Sequence, residues 1–274
     1  MIERIAKLIA LAENASTVAE AEAAFAKAQE LATRHAIDLE VARRAAAPKQ
    51  RETPTQRNIR VGEKGKHANK PLINLYSRIA DSNDVTILIA RDSTYIIGHG
   101  MPSDLDAVDA LWVSLATTMT RFADALVRDK NAEWRTETVQ VWNEREWRYE
   151  DKPVSGQGAR RSFCDGFIQR IGERLRDARK AAVAEADTHF HHDATVAVTG
   201  GADNVPSSMA LVLKEKKVEV ESYMWSQYEQ KYGRKRPRGG WNGGSNATGS
   251  YSARSAGSRA ADHVNLSGRR GISA

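Results

Sequence analysis

Long runs of apolar residues at helical spacing constrain the fold of this chain more than any other feature of its sequence. In the longest run, residues 103–128, apolar side chains recur every three or four positions, at Leu105, Val108, Leu111, Leu115 and Met119. This spacing puts them on one face of a helix, which a globular protein buries against its core. Residues 71–80, 160–187 and 208–231 follow the same pattern.

Strand signals are confined to short segments in the middle of the chain. β-Branched residues dominate 85–90 and 94–98, with Arg91, Asp92 and Ser93 between them, which predicts a β-hairpin. Residues 133–149 are ambiguous, since their first half alternates as a strand does and their second half also fits a helix. The sequence therefore predicts an α+β fold that is mainly α-helical, with a small β-hairpin or sheet.

Composition divides the chain into four parts. Residues 1–47 contain three helical segments and predict a helical hairpin or three-helix unit. Residues 48–70, with seven basic residues against two acidic ones, predict a basic linker. Residues 71–232 form the expected body. Residues 233–274 are rich in Gly, Ser and Arg, a composition too poor in apolar surface to offset the entropy of ordering, and they predict a disordered tail.

Several classes of protein are excluded by composition. No stretch approaches the roughly 18 uninterrupted apolar residues of a membrane span, and the N-terminus reads as an amphipathic helix instead of a secretory signal. A single cysteine, Cys164, excludes an internal disulfide and a cysteine-cluster zinc site. Its place on an apolar helix face favours a buried thiol over a nucleophile. A cytoplasmic location without membrane contact is expected.

Positive charge is concentrated in the tail. The chain has a net charge of +6, but eight basic residues against one acidic residue give residues 233–274 a charge of +7. Basic and aromatic side chains in a flexible segment suit contacts with phosphates and bases. The candidate nucleic-acid-binding residues are Arg234, Lys235, Arg236, Arg238, Trp241, Arg254, Arg259, Arg269 and Arg270. A flexible solubilising terminus is the alternative interpretation.

Aromatic and basic residues also alternate between Trp134 and Tyr149. Half of the six tryptophans lie in this stretch, at Trp134, Trp142 and Trp147, beside several arginines. Exposed indoles next to guanidinium groups can stack on unpaired bases. The same tryptophans can instead serve as core or interface anchors.

A histidine cluster near residue 190 offers the only candidate metal site in the sequence. His189, His192 and Asp193 fall about one helical turn apart if the preceding helix continues through them, a spacing that can ligate a divalent metal. A solvated helix end is the favoured interpretation, because histidines are stabilised there by the helix dipole. No catalytic residue and no cofactor is predicted.

The N-terminal helices carry a family resemblance. Residues 5–14 and 20–31, followed by His35, Ala36, Ile37 and Asp38, resemble the short helical domain of the domain-of-unknown-function 2786 family, found in bacteria and their phages. Residues 162–175, 210–217 and 253–261 are similar to segments of longer members from actinobacteria and actinophages. Ala36 departs from the pattern, since glycine is favoured at such a helix end. The resemblance implies no mechanism.

Three functions are compatible with these features. The favoured one is a non-enzymatic protein that binds DNA or RNA with low sequence specificity through its basic linker and tail. A protein-interaction or assembly factor is the first alternative. A metal-dependent hydrolase that uses His189, His192 and Asp193 is the second.

Overall fold

The fold is given by a computed structural model, which describes residues 52–197, 208–233 and 249–264. In chain order the elements are β1 (Thr55–Arg60), α1 (Asn69–Ser82), β2 (Thr86–Ile89), β3 (Tyr95–Gly100), α2 (Pro102–Arg128), a 3₁₀ turn (Glu133–Thr136), β4 (Thr138–Asn143), β5 (Arg148–Pro153), α3 (Gly156–Ala197), α4 (Met209–Tyr232) and α5 (Tyr251–His263). The prediction of a mainly α-helical α+β fold is confirmed. The helical unit predicted for residues 1–47 lies outside the described residues.

The core lies where α1, α2 and α3 pack together against one small sheet. The apolar stripe of α2 is buried as its spacing predicts, from Leu105 to Met119. Pro102 begins this helix, where its missing N–H leaves no hydrogen bond unmade. Phe167 and Ile171 of α3 complete the same core, and both are fully buried.

The sheet has three antiparallel strands in the order β1-β3-β2. Its β2–β3 hairpin is the one that the β-branched runs predict, and Ser93 in its turn has a left-handed φ of 59°. Strand β3 is central, and its Ile96 reaches the core. Strands β4 and β5 form a separate two-stranded antiparallel sheet, which resolves the ambiguity of residues 133–149.

The predicted linker is partly structured, and here the expectation was wrong. Residues 55–60 form β1, which satisfies the free edge of β3, and Asn69 already begins α1. Strand β1 buries Ile59 and extends Arg57 to carboxylate oxygens of Asp106 and Asp109, both at 2.8 Å. Only one apolar residue in β1 is buried, so no alternation of apolar residues marked it as a strand.

The predicted disordered tail is also partly wrong, because residues 251–263 form α5. Three small residues at four-residue spacing, Ala253, Gly257 and Ala261, are buried against α3. The helices approach so closely that a Cβ at Gly257 would collide with the carbonyl oxygen of Phe163. Small side chains therefore replace large apolar ones as the means of packing. The remaining parts of the predicted tail, 234–248 and 265–274, lie outside the described residues.

No helix in the described ranges is both long and apolar enough to cross a membrane.

Candidate functional site

Three exposed aromatic side chains lie together on the β4–β5 hairpin. Trp142 and Tyr149 face each other in register, with ring centroids 5.1 Å apart, and Trp147 meets Trp142 edge-on at 6.1 Å. Their exposed fractions are 43%, 65% and 81% for Trp142, Tyr149 and Trp147. No residue of these two strands is buried. The hairpin thus presents an aromatic face to solvent.

The charges of the hairpin are arranged mainly on its opposite face. There Arg148 lies 2.6 Å from a carboxylate oxygen of Glu146 and 3.8 Å from one of Glu150, and Lys152 lies 3.7 Å from the other oxygen of Glu150. Asn143 donates to Glu150 at 2.7 Å, and this bond is the main reason that the pKa of Glu150 is below its usual value. Glu146 and Glu150 are thus paired with cations within the hairpin, whereas Asp151, opposite Gln140 in the register, lies on the aromatic face.

Trp134 differs from the other two tryptophans of the same stretch. It is 4% exposed, it donates from Nε1 to the carbonyl oxygen of Leu126 at 3.2 Å, and the guanidinium of Arg135 lies 4.4 Å from its ring centre. Trp134 therefore anchors the base of the hairpin, together with Val154 in the same apolar cluster. The two interpretations of the aromatic stretch both apply, to different tryptophans.

A cleft of about 570 Å³ opens beside the base of the hairpin, between residues 65–74, α2 and the start of α3. Strand β5 leads directly into its wall, since Ser155, two residues after the strand ends, lines it. Four cationic side chains line the cleft against two carboxylates; the cations are Lys66, Lys70, Arg160 and Arg161, and the acids are Asp92 and Asp165. Arg160 also forms an ion pair with Asp124.

The floor of the cleft is apolar. Leu72, Met119, Ala123 and Cys164 contribute to it, and Ala123 and Met119 belong to the main core. Burial raises the pKa of the Cys164 thiol to about 12, so the thiol stays protonated at neutral pH. The interpretation of Cys164 as a buried thiol is confirmed.

Helix α4 is fastened to the body by a buried ionic cluster that the sequence did not reveal. Lys216, 3% exposed, lies 2.7 Å from Asp104 and 4.0 Å from Asp84, and Arg179 lies 2.6 Å from Asp84. Burial raises the pKa of Asp104 to about 6, although Lys216 opposes the shift. Asp84 has a left-handed φ of 58°, and its position directly after Asn83 was the one local signal of a special backbone site.

His99 lies on β3 beside the same helix. Its ring centre is 6.3 Å from that of Tyr223 of α4, and its Nδ1 has no hydrogen-bond partner. Burial lowers the pKa of His99, so the imidazole is neutral at pH 7. We assign the ionic cluster of Asp84, Asp104, Arg179 and Lys216 a structural role, because its cations and carboxylates pair with one another.

Only two of the candidate nucleic-acid-binding residues lie in the described part of the chain. Both are on α5: Arg259 is exposed, whereas Arg254 is partly buried beside Gly166 of α3. The others lie outside the described residues; they are Arg234, Lys235, Arg236, Arg238, Trp241, Arg269 and Arg270. Lys66 and Lys70 belong to the predicted basic linker, but their convergence with Arg160 and Arg161 was missed because residues 66–70 and 160–161 lie far apart in the sequence.

The candidate metal ligands fall near the end of α3. The helix continues through His189, His192 and Asp193, but their side chains lie outside the described ones. The metal site therefore stays a prediction. Among the side chains that the structure describes, no group of three or more His, Cys, Asp or Glu residues could hold a metal ion.

Comparison with known proteins adds information only at the N-terminus. No curated protein and no solved structure matches the chain. One family model does match, over residues 1–39, which precede the described part of the chain. The family is described as "Protein of unknown function (DUF2786)", and the N-terminal segment of this chain is similar to it, in agreement with the resemblance noted from the sequence.

Proposed function

We propose that this protein binds nucleic acid without catalysing a reaction on it, and that it binds unpaired strands with low sequence specificity. The observation that carries the proposal is the exposed aromatic face of the β4–β5 hairpin, projecting from the edge of a cation-lined cleft. Large exposed aromatics on a solvent-facing hairpin contribute little to folding, and they suit a surface that is covered on binding.

Stacking supplies the contact with bases in this proposal. Trp142, Trp147 and Tyr149 are separate rings, each with exposed surface, and stacking on an aromatic side chain is worth about 1–3 kcal/mol per base. Every base offers such a face only when it is unpaired, which favours single strands over duplexes. Stacking does not read base edges, so weak sequence preference follows.

Cations supply the contact with phosphates. The hairpin has only three basic residues, Arg145, Arg148 and Lys152, two of which are engaged with acids of their own sheet. The cleft at its base adds Lys66, Lys70 and Arg161, and six residues of β5 span about 20 Å, so one strand of nucleic acid can reach both surfaces. The tail arginines and lysine that the sequence nominates, from Arg234 to Arg270, would extend this contact.

A protein partner is the second candidate function, and one observation favours it. Trp and Tyr are also the side chains that dominate protein interfaces, and within the described part of the chain no further strand pairs with either edge of the two-stranded hairpin, so a partner strand could add there. An assembly factor would use the same aromatic face without salt-dependent binding to polyanions. We place either activity in the cytoplasm of a bacterial or phage-infected cell.

The test compares the full chain with a double variant, Trp142→Ala with Trp147→Ala. Fluorescence anisotropy follows binding to labelled single- and double-stranded DNA and RNA across a salt series. The double variant should bind single strands about 10- to 100-fold more weakly, as expected for the loss of two stacks. Affinity of the unaltered chain should fall steeply with salt, and replacing Arg234, Lys235, Arg236 and Arg238 by Gln, which leaves α5 in place, should reduce the slope.

Val141→Ala is the matched control. Val141 is exposed on the same strand but lies on the opposite face of the sheet from Trp142. This variant should bind as the unaltered chain does. Unchanged binding by the double tryptophan variant, or no binding of any nucleic acid at about 50 mM salt, would refute the proposal and leave the protein-partner function.

A further inference from the structure

We infer that the cleft at the base of the hairpin is a binding pocket for a nucleoside phosphate. This inference concerns a different surface from the aromatic face, and it holds whether or not a strand stacks on the hairpin. The cleft measures about 570 Å³, within the roughly 300–1,000 Å³ of pockets that hold small organic ligands.

The apolar floor suits a base. Pro71 and Leu72 are partly exposed and present hydrocarbon surface, on which a flat ring can lie out of water, whereas Met119 and Ala123, each 1% exposed, line the floor only at their edges. An inorganic anion would gain nothing from this floor. The ligand therefore has an apolar, ring-sized part in addition to its charge.

Carboxamides and hydroxyls on the wall suit the edges of that ring. Asn74 and Gln157 carry both donors and acceptors, and Thr120 adds a hydroxyl. Asn and Gln match the paired donor and acceptor groups of bases, which a lipid tail lacks. These residues come from α1, α3 and α2, so the three helices of the core each contribute one polar group.

Charge completes the match. Lys66 lies in the segment before α1, Lys70 lies in the first turn of α1 and Arg161 lies on α3, so cations stand on two sides of the cleft. They suit a phosphate group, which needs several donors at once. The carboxylates of Asp92 and Asp165 are acceptors of the kind that bind ribose hydroxyls. The lining thus holds one kind of group for each part of a nucleoside phosphate.

Calorimetric titration of the full chain tests this inference. The probes are the four ribonucleoside 5′-monophosphates, the matching nucleosides and inorganic phosphate. At least one nucleotide should bind about tenfold or more tightly than its nucleoside and than phosphate, because only the nucleotide uses both floor and cations. Equal affinity for phosphate and nucleotide, or no heat with any nucleotide, would overturn the inference.

Two variants locate the site, each with a matched control. Lys70→Glu should weaken nucleotide binding by about tenfold or more, whereas Lys64→Glu, in the segment before α1 but outside the cleft, should change it by less than about twofold. Thr120→Tyr places a ring in the cleft and should abolish binding; Val113→Tyr, at an exposed position of the same helix outside the cleft, should not. Far-UV circular dichroism checks that all four variants fold. If Lys70→Glu and Thr120→Tyr fold and bind normally, the pocket is refuted.

The nucleotide can be free or can be the end of a strand. Oligonucleotides with a 5′-phosphate and with a 5′-hydroxyl distinguish these sources in the anisotropy assay, using the double tryptophan variant so that stacking on the hairpin does not mask the difference. A preference for the phosphorylated end that Lys70→Glu removes assigns a strand end, and equal binding of the two oligonucleotides assigns the free nucleotide. If no nucleotide binds in the titration but the double tryptophan change still weakens strand binding, only the pocket is refuted. If a nucleotide binds but the double tryptophan change leaves strand binding unaltered, only the strand-binding surface is refuted.

Discussion

Helix α5 and the β4–β5 hairpin reverse the usual relation between composition and burial. Helix α5 consists largely of Ser, Ala, Gly and Arg, yet Ala253, Gly257 and Ala261 are fully or almost fully enclosed. The hairpin contains two tryptophans, a tyrosine and two valines, yet none of its strand residues is buried. The segment that looks unable to fold is packed, and the segment that looks able to fill a core faces water.

The two segments differ in how they obtain or forgo the stabilisation that comes from burying apolar surface. In α5, the absence of side-chain volume lets two backbones approach, so that burial comes from close packing over the length of the helix. In the hairpin, apolar area is left uncovered at a cost to solubility, which a chain tolerates when a ligand covers it. Single substitutions in these and neighbouring elements test this contrast.

Lys216→Met should cause the largest loss of stability. Helix α4, like α5, buries what its composition suggests is exposed, since Lys216 lies between Asp104 and Asp84. Removing the ammonium leaves two buried carboxylates without their lysine, and such losses amount to about 3–5 kcal/mol of the free energy of unfolding. Urea denaturation measures it. The neighbouring exposed Lys217→Met is the control, and an equal effect of both variants would show that the ionic cluster does not fasten α4.

Gly257→Val should cause the next largest loss of stability. A Cβ at this position collides with the backbone of Phe163, so the two helices must separate, at a cost of about 3 kcal/mol or the detachment of α5. Urea denaturation gives the free energy, and limited proteolysis after residue 249 reports detachment. Arg259→Ala, at an exposed position of the same helix, should change stability by less than about 0.5 kcal/mol. A tolerated valine would mean that α5 is not held by close approach.

These two regions also show which parts of the fold were predictable from sequence. The buried faces of α1, α2 and α3 were predictable, because each repeats large apolar residues at helical spacing. The β2–β3 hairpin was also predictable, because β-branched residues flank a polar turn. Strand β1 was not, since only Ile59 among its residues is a buried apolar one. Helix α5 was missed because composition averages over a segment, whereas the four-residue spacing of Ala253, Gly257 and Ala261 depends on position.

The candidate site was predictable only in its local parts. Trp142 and Trp147 stood out because aromatics concentrate in one stretch, but only the fold separates them from the buried Trp134. The basic linker was the only local signal of the cleft, because Lys70 and Arg161 meet only when α1 and α3 pack together. Convergence of distant residues is a property of tertiary structure, and no periodicity in one segment encodes it.

Trp147→Ala tests whether the exposed hairpin contributes to binding and not to stability. Because this ring is 81% exposed, its loss should change global stability by no more than about 0.5 kcal/mol. The same change should weaken single-strand binding by about 1–3 kcal/mol if a base stacks there. Urea denaturation and anisotropy on the same preparation give both numbers. A large loss of stability with unchanged binding would reverse the comparison, since the hairpin would then be part of the folded core.

Glu137→Gln should have the smallest effect, and its dependence on pH identifies its origin. The Glu137 carboxylate accepts a hydrogen bond from the backbone N–H of Ser252 at 2.9 Å, at the start of α5. Burial raises the pKa of this carboxyl, but hydrogen bonds from Ser250 and Ser252 outweigh burial and hold the pKa below its usual 4.5. A carboxyl whose pKa is lower in the folded state stabilises that state above the unfolded-state pKa and loses this contribution as the pH falls.

Glutamine keeps an acceptor oxygen but not the charge, so the Glu137→Gln variant should lose about 0.5 kcal/mol of stability at pH 7. Urea denaturation from pH 7 to pH 3 should show this difference shrinking below about pH 4.5. A difference independent of pH would assign the loss to packing at the start of α5 and not to the charge.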